Sequence, residues 1–266
     1  MINMDLDKSI QENFKKFARG LMQLSYPVAF EAHKNLYKIG QPVVPLLREK
    51  ILEIDWSKFK YKELSDYISG IYSLLHDLDE DEATSVCESI IANGCPKHVK
   101  AILQSVNQFS LKNYKKYQIR GIDIFEHKMI DSTCDISFYL NMWMGNMPED
   151  DLENISRLYV ITRDKINASG TYTPILNAIA LLWENHHKDK SLLFKLSALI
   201  TERVLYHEIG HHANRHKFGT YADQEKEADR YAFHILKKSH PFLLNILWLL
   251  PKLGFKSKRN YYRWGL

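Results

Sequence analysis

The segment 207–211, which reads His-Glu-Ile-Gly-His, is the feature that most constrains how this chain can fold. Two histidines four residues apart lie on one face of an α-helix, one turn from each other, so both imidazoles can reach a single metal ion. Glu208 lies about 100° further round the same helix. From there its carboxylate can reach a water molecule beside the metal and act as a general base. The motif therefore predicts a zinc-binding helix.

The flanking sequence supports a helix on each side of a short loop. Residues 191–204 carry apolar side chains at helical spacing, and Lys217 with Gly219 supplies a basic last turn and a stop signal. After a loop in which Thr220 or Asp223 can cap the next helix, residues 224–232 are rich in helix formers.

The second helix carries the acidic residues that a metal site needs. Glu225 and Asp229 are four residues apart and therefore share a face, whereas Glu227 points nearly opposite to Glu225. Glu225 can thus act as a metal ligand while Asp229 orients a neighbouring ligand.

These residues resemble the gluzincin metallopeptidases, in which a His-Glu-x-x-His helix is followed by one bearing Glu-x-x-x-Asp. The Glu-x-x-Ala-Asp form is most similar to the HtpX and CaaX-prenyl-protease type, and His-Glu-Ile-Gly-His is also similar to ImmA/IrrE-like peptidases. The resemblance covers residues 155–238. It departs from the HtpX type in the short loop after the first motif and in lacking long transmembrane helices.

The resemblance implies one Zn²⁺ per chain and a role for each motif residue. Zinc would be held by His207, His211 and Glu225, with Glu208 as general base. Asp229 would be the acceptor that fixes a histidine tautomer. The remaining histidines of this region are expected to have no metal role: His212 and His216 as solvated or loop-packing side chains, and 186–187 as part of a turn.

The sequence before the motif predicts strands. Residues 157–162, 171–175 and 177–183 are rich in β-branched, aromatic and aliphatic side chains. Pro174 cannot donate to a sheet and so favours an edge position. Residues 177–181, beginning with Asn177, Ala178 and Ile179, are thus a candidate strand for binding an extended substrate. The alternative is that they form an ordinary core strand.

The first 115 residues show helical periodicity, broken near Pro27, 40–42, 77–82 and 94–96. Residues 36–47 resemble the turn and second helix of a HEAT repeat, and an irregular helical bundle is the alternative. Either form offers a surface for a protein partner. We therefore predict an α+β, predominantly helical protein, with a helical domain over 1–115 and a zincin-like metallopeptidase domain over 116–266.

Composition is typical of a globular cytoplasmic protein. The 266-residue chain is 45% hydrophobic, and no signal peptide is visible. Cys87, Cys95 and Cys134 lack metal or redox spacing and are expected to be reduced. The net charge is +4, and no acidic residue follows Asp229. This basic C-terminal tail could contact a membrane surface or simply end a packed helix, and no nucleic-acid partner is expected.

Together these patterns predict a zinc-dependent peptidase acting on a peptide or protein substrate. Tyr231 and His234 are the nearest candidates in sequence for the oxyanion donor. The alternative function is a non-catalytic or regulatory zinc-binding protein that uses a zincin fold and helical repeats to recognise a partner. The presence of Glu208 weighs against it, because a structural zinc site needs four protein ligands and no base.

Overall fold

The computed structural model describes residues 2–56, 63–107, 109–130, 134–162, 169–174, 176–183, 192–216 and 221–241. Over these residues the protein is a mixed α and β structure, predominantly helical, with one five-stranded sheet. The chain divides into two compact units between Lys112 and Asn113. The boundary expected at 115 falls inside the first strand of the second unit.

The first unit is helical over its described residues. Its helices are α1 (Ile2–Met22), α2 (Tyr26–Ile39), α3 (Val44–Leu52), α4 (Glu63–Leu78), α5 (Glu80–Ala92) and α6 (Lys97–Asn107). Gly40 has a φ of 79°, a left-handed conformation that suits glycine, and it ends α2. The side chain of Asp79 accepts a hydrogen bond from the Glu82 N–H and so caps α5.

Helix α4 is the centre of this first unit. It packs against α1, α2, α3, α5 and α6. Its buried apolar side chains include Ile68, Ile71, Leu74 and Leu75, each fully inaccessible to solvent. The main packing lies within and between consecutive helix pairs, which is the order expected of stacked helical hairpins. A relationship to HEAT repeats stays a prediction.

The second unit is built on a sheet in the order β1-β2-β3-β5-β4. The strands are β1 (Tyr114–Ile119), β2 (Ile122–His127), β3 (Arg157–Ile161), β4 (Gly170–Thr173) and β5 (Ala178–Leu182). Strands β2, β3 and β5 are parallel to one another, and the two outer strands run antiparallel to their neighbours. The central strands are buried on both faces, which explains their continuous apolar sequence.

A tight hairpin joins the first two strands. Arg120 and Gly121 both have positive φ, at 50° and 79°, as a type I′ turn requires. The sequence indicates one strand over residues 119–125, and the structure divides this stretch between two strands at the Arg-Gly turn.

Three helices complete the second unit: α7 (Ile136–Met144), α8 (Leu192–Ala213) and α9 (Ala222–Ser239). Helix α8 packs against β4 and β5 on one side and α9 on the other. Ile179 and Leu181 of β5 meet Leu205 and Ile209 of α8 in one buried apolar cluster. This packing places one side of α8 against the sheet and leaves another for α9.

No helix in the described part of the chain is both long and apolar enough to cross a membrane. Several predictions concern residues outside the described ranges, namely the turn at 186–187, the stop signal at 217–219, the cap at Thr220 and the basic tail beyond 241. Asp223 lies within the first turn of α9, and the residue at the N-cap is Tyr221.

Candidate metal centre

The motif residues lie in the last two turns of α8, opposite the beginning of α9. Gly210 allows these helices to approach closely, because a Cβ atom there would lie 3.1 Å from both Ala228 Cα and Tyr231 Cβ. The glycine inside the motif thus has a packing reason. A larger side chain would push α9, with Glu225, away from the two histidines.

The three predicted ligands converge on one point. His207 Nε2 is 3.1 Å from His211 Nε2. Glu225 Oε2 lies 3.3 Å from His207 Nε2, and Glu225 Oε1 lies 3.6 Å from His211 Nε2. Among the described residues, His207, His211 and Glu225 form the one group of three or more such side chains suited to holding a metal ion.

This triangle can be tested against a metal ion's requirements. Bonds of about 2.0–2.1 Å at tetrahedral angles put neighbouring ligand atoms roughly 3.3 Å apart. The three separations, 3.1, 3.3 and 3.6 Å, lie close to that value. The two imidazoles and one carboxylate therefore fit three corners of a tetrahedron, and the donor set suits zinc as well as other divalent transition metals.

The other ring nitrogen of His207 has a carboxylate partner. His207 Nδ1 is 3.1 Å from Asp229 Oδ1, and Arg203 Nη2 donates to the same oxygen at 2.9 Å. An Nδ1–H donating to Asp229 leaves the Nε2 lone pair directed at the cluster. Asp229 therefore lies where an acceptor that fixes the tautomer of His207 is expected.

Glu208 is on the sheet side of the cluster. Its side chain is buried, and the backbone N–H of Tyr172 in β4 donates a hydrogen bond to it. Gly170 provides the space, because a Cβ there would lie 2.5 Å from Val204 Cγ1 and 3.0 Å from Glu208 Cγ. Burial, reinforced by the negative charge of Glu225, raises the pKa of Glu208 to about 7 against the opposing effects of His207 and the Tyr172 N–H. A carboxyl group with such a pKa can both take up and release a proton near neutrality.

The two histidines respond differently to this environment. Burial lowers the pKa of His207, but hydrogen bonds to Asp229 and Glu225, together with the negative charges of Glu208 and Asp229, raise it to about 9. Burial and the positive charge of His207 lower the pKa of His211 to about 4. The hydrogen bond from His207 lowers the pKa of Glu225. In the metal-free protein a proton on His207 therefore occupies the centre of the cluster.

His216 was expected to be a solvated or loop-packing side chain, and the structure shows that it is buried beside the cluster. Its Nδ1 is 2.9 Å from His211 Nδ1, and its Nε2 is 2.9 Å from Glu227 Oε2. Sequence reasoning missed both contacts. The available signal was a histidine just after the predicted helix, because a residue that follows a helix end can fold back against the last turn.

His212 also has defined partners. Its Nε2 lies 2.8 Å from the carbonyl oxygen of Glu153, so that nitrogen carries the proton and donates. Its Nδ1 is 3.2 Å from the oxygen of the Tyr172 hydroxyl, whose single proton is donated to Asn177 Oδ1 at 2.7 Å. These contacts place the end of α8 beside β4.

The candidate substrate strand, 177–181, is not at an edge of the sheet. Strand β5 pairs with β3 on one side and β4 on the other, so Ala178 and Ile179 belong to a core strand. Asn177 precedes the strand with a φ of 44°, and its side chain accepts a hydrogen bond from the Tyr172 hydroxyl. Among the described strands, β4 holds the edge beside α8. Pro174, which favoured an edge, follows it directly.

The candidate oxyanion donors are not directed at the cluster. The hydroxyl of Tyr231 donates to Asp151 Oδ2 at 2.7 Å, so its proton is already engaged. His234 is exposed, and nine residues beyond Glu225 it lies about 13–14 Å further along α9 and half a turn away. The helix therefore carries His234 away from the ligands.

Comparison of the chain with models of protein families, with curated proteins and with solved structures found no match.

Proposed function

We propose that the protein is a zinc-dependent peptidase with a zincin-like second unit. The observation that carries the proposal is the position of Glu208 between two features. On one side are the three converging ligand atoms, and on the other is the backbone N–H of Tyr172 in the edge strand β4. A purely structural metal site has no use for a buried carboxyl group that can exchange a proton near neutral pH.

The residues present fit a zinc ion held by His207, His211 and Glu225, with Asp229 orienting His207. When bound, the ion would lower the pKa of a water molecule and polarise the scissile carbonyl group. Glu208 would take the proton from that water and pass it to the leaving amine.

The outer edge of β4 is the strand on which we propose that an extended substrate binds. Leu182 N–H donates to Ser169 O, so the ladder alternation directs the N–H groups of residues 170 and 172 away from β5. Tyr172 uses its outward N–H to bond Glu208. A peptide added to that edge would therefore run beside the proposed base.

We also propose a cytoplasmic location, because all three cysteines of the chain are free thiols. The alternative is a non-catalytic zinc-binding protein that recognises a partner. It would use the same metal ligands, but Glu208 would have no chemical role in it. A substitution that removes only the base therefore separates the two functions.

The decisive variant is Glu208→Gln, which keeps the side chain's size and removes its ability to accept a proton. We expect its zinc content to match the wild type and peptide cleavage to fall by about 10²- to 10⁴-fold. Substrates would come from an untargeted peptide-cleavage screen of the zinc-loaded wild type. The matched control is Asp223→Asn on α9, because the Asp223 side chain is 94% exposed and its ion pair among the described residues is with the exposed Lys226 of the same helix.

Equal cleavage by Glu208→Gln and the wild type would contradict the proposed mechanism. A zinc-loaded wild type that cleaves nothing in the screen would favour the recognition protein instead. In that case Glu208→Gln should bind any partner as well as the wild type does.

A further inference from the structure

The imidazole of His216 lies between the second predicted ligand and a carboxylate of the neighbouring helix. Its Nδ1 is 2.9 Å from His211 Nδ1, and its Nε2 is 2.9 Å from Glu227 Oε2. The side chain of His216 is almost completely buried, whereas that of Glu227 is 51% exposed. A chain of hydrogen bonds thus runs from His211 to a carboxylate at the surface.

The end of α8 builds this contact from its own backbone. Arg215 has a φ of 52°, in the left-handed region. The N–H groups of Arg215 and His216 donate to the carbonyl oxygens of His212 and His211, respectively. This pair of bonds is a Schellman motif, which brings the residue after the left-handed one back against the last turn. The rings of His211 and His216 are accordingly 4.9 Å apart, with an interplanar angle of 75°.

One arrangement of protons satisfies every group in the chain. If His211 binds a metal through Nε2, its Nδ1 carries the proton and donates to His216 Nδ1. His216 then carries its own proton on Nε2, which faces an oxygen of Glu227. A carboxylate can only accept, so the same arrangement is required from the other end of the chain.

We propose that His216 and Glu227 form a positioning relay that holds His211 in its Nδ1-protonated tautomer, with the Nε2 lone pair directed at the metal. The relay rests on the proposed function, because it requires His211 to be a metal ligand. It does for His211 what Asp229 does for His207. Metal-binding histidines usually donate their second ring N–H to such a partner, and losing the partner typically weakens metal binding about 10- to 100-fold.

The test compares zinc affinities measured by competition with a chelating dye. His216→Leu fills similar space without ring nitrogens and should weaken zinc binding about 10- to 100-fold. His216→Asn offers an oxygen near the position of Nδ1 and should recover part of that loss. Glu227→Gln keeps an acceptor oxygen and should have the smallest effect, while Asp223→Asn should bind zinc as the wild type does.

A second measurement uses the wild-type protein and so does not depend on any variant folding. In the zinc-loaded protein, two-dimensional ¹H–¹⁵N spectra of the imidazoles report which ring nitrogen carries each proton. We expect His211 to be protonated at Nδ1 and His216 at Nε2. A purely packing role for His216 would not require this pair of tautomers.

The outcomes separate the relay from the proposed function. If the wild type binds zinc and His216→Leu binds it with the same affinity, the relay is wrong and the proposed function is not affected. The same holds if the wild type binds zinc and His216 has the opposite tautomer. A wild type that binds no zinc would overturn the proposed function, and the relay with it.

Discussion

Helices α4 and α8 are both central to their own units, but they differ in the buried acidic groups that they carry. The buried face of α4 is formed largely by aliphatic groups such as Leu74 and Leu75, and among its described residues the buried polar ones are Ser65, Ser73 and His76. Helix α8 buries two carboxyl groups, those of Glu202 and Glu208, together with its apolar residues. Burying apolar surface stabilises a fold, whereas burying an ionisable group costs free energy unless partners compensate.

The two carboxyl groups of α8 also differ from each other. Glu202 has close partners, since the Tyr206 hydroxyl donates to it at 2.7 Å and His240 Nε2 lies 2.8 Å away. Those contacts connect the middle of α8 to the end of α9 and have a structural role. Glu208 has the Tyr172 N–H and a pKa raised to about 7. The two buried carboxyl groups thus differ in their partners: two side chains contact Glu202, and a backbone N–H bonds Glu208.

The largest expected effect in this comparison is the loss of metal on removing a ligand from α8. The wild type should hold about one zinc ion per chain, and His211→Ala should hold none after dialysis, because two remaining ligands make a much weaker site. Elemental analysis measures the stoichiometry, with Asp223→Asn as the control. Full zinc content in both His207→Ala and His211→Ala would refute the assigned ligands.

Truncating a buried apolar side chain of α4 should lower stability and leave zinc binding unchanged. Leu74 is fully buried, so Leu74→Ala should lower the free energy of unfolding by about 2–5 kcal/mol through lost burial and a cavity. Zinc stoichiometry at a temperature where the variant is folded should not change. Chemical denaturation measures the free energy of unfolding, and elemental analysis measures the zinc content. Loss of zinc from the folded variant would contradict the expectation that α4 has no part in zinc binding.

Removing the buried acid should stabilise the metal-free protein. The pKa of Glu208 is about 7 when folded and 4.5 as a reference, so the folded state binds more protons between those values and stability falls as pH rises through them. Above pH 7 the cost is constant, on the order of 3 kcal/mol. With a chelator present, Glu208→Gln should be more stable than the wild type at pH 8, and the difference should vanish near pH 4. A pH-independent difference would contradict the raised pKa.

Zinc affinity should rise with pH because the proton on His207 must leave. With a pKa of about 9 for His207 in the metal-free protein, affinity should increase about tenfold per pH unit from 7 to 9 and then level off. Chelator competition at several pH values measures it. Asp229→Asn removes the negative charge of the group whose hydrogen bond raises this pKa, so its plateau should begin at lower pH. An affinity independent of pH between 7 and 9 would contradict the assignment.

Helical periodicity alone predicts the local part of the candidate site. The spacing of His207, Glu208 and His211 predicts their placement on a helix, and the spacing of Glu225 and Asp229 predicts a shared face on the next one. Both predictions depend on helical periodicity, which connects residues within two turns of each other. Strands β3 and β5 can also be predicted from local sequence, because a continuous apolar sequence is typical of strands covered on both faces.

The packing of separate elements determines which strand lies at the edge of the sheet and which further groups reach the candidate ligands. The apolar sequence of β5 suits an edge or a core strand, and pairing with β3 and β4 makes it a core strand. His216 reaches His211 only because Arg215 adopts a left-handed conformation, which its residue type does not predict. Glu227 lies on α9 and reaches His216, which follows α8, because these two helices pack against each other. Such contacts depend on how elements meet in space, and the spacing of residues along one element carries no information about that.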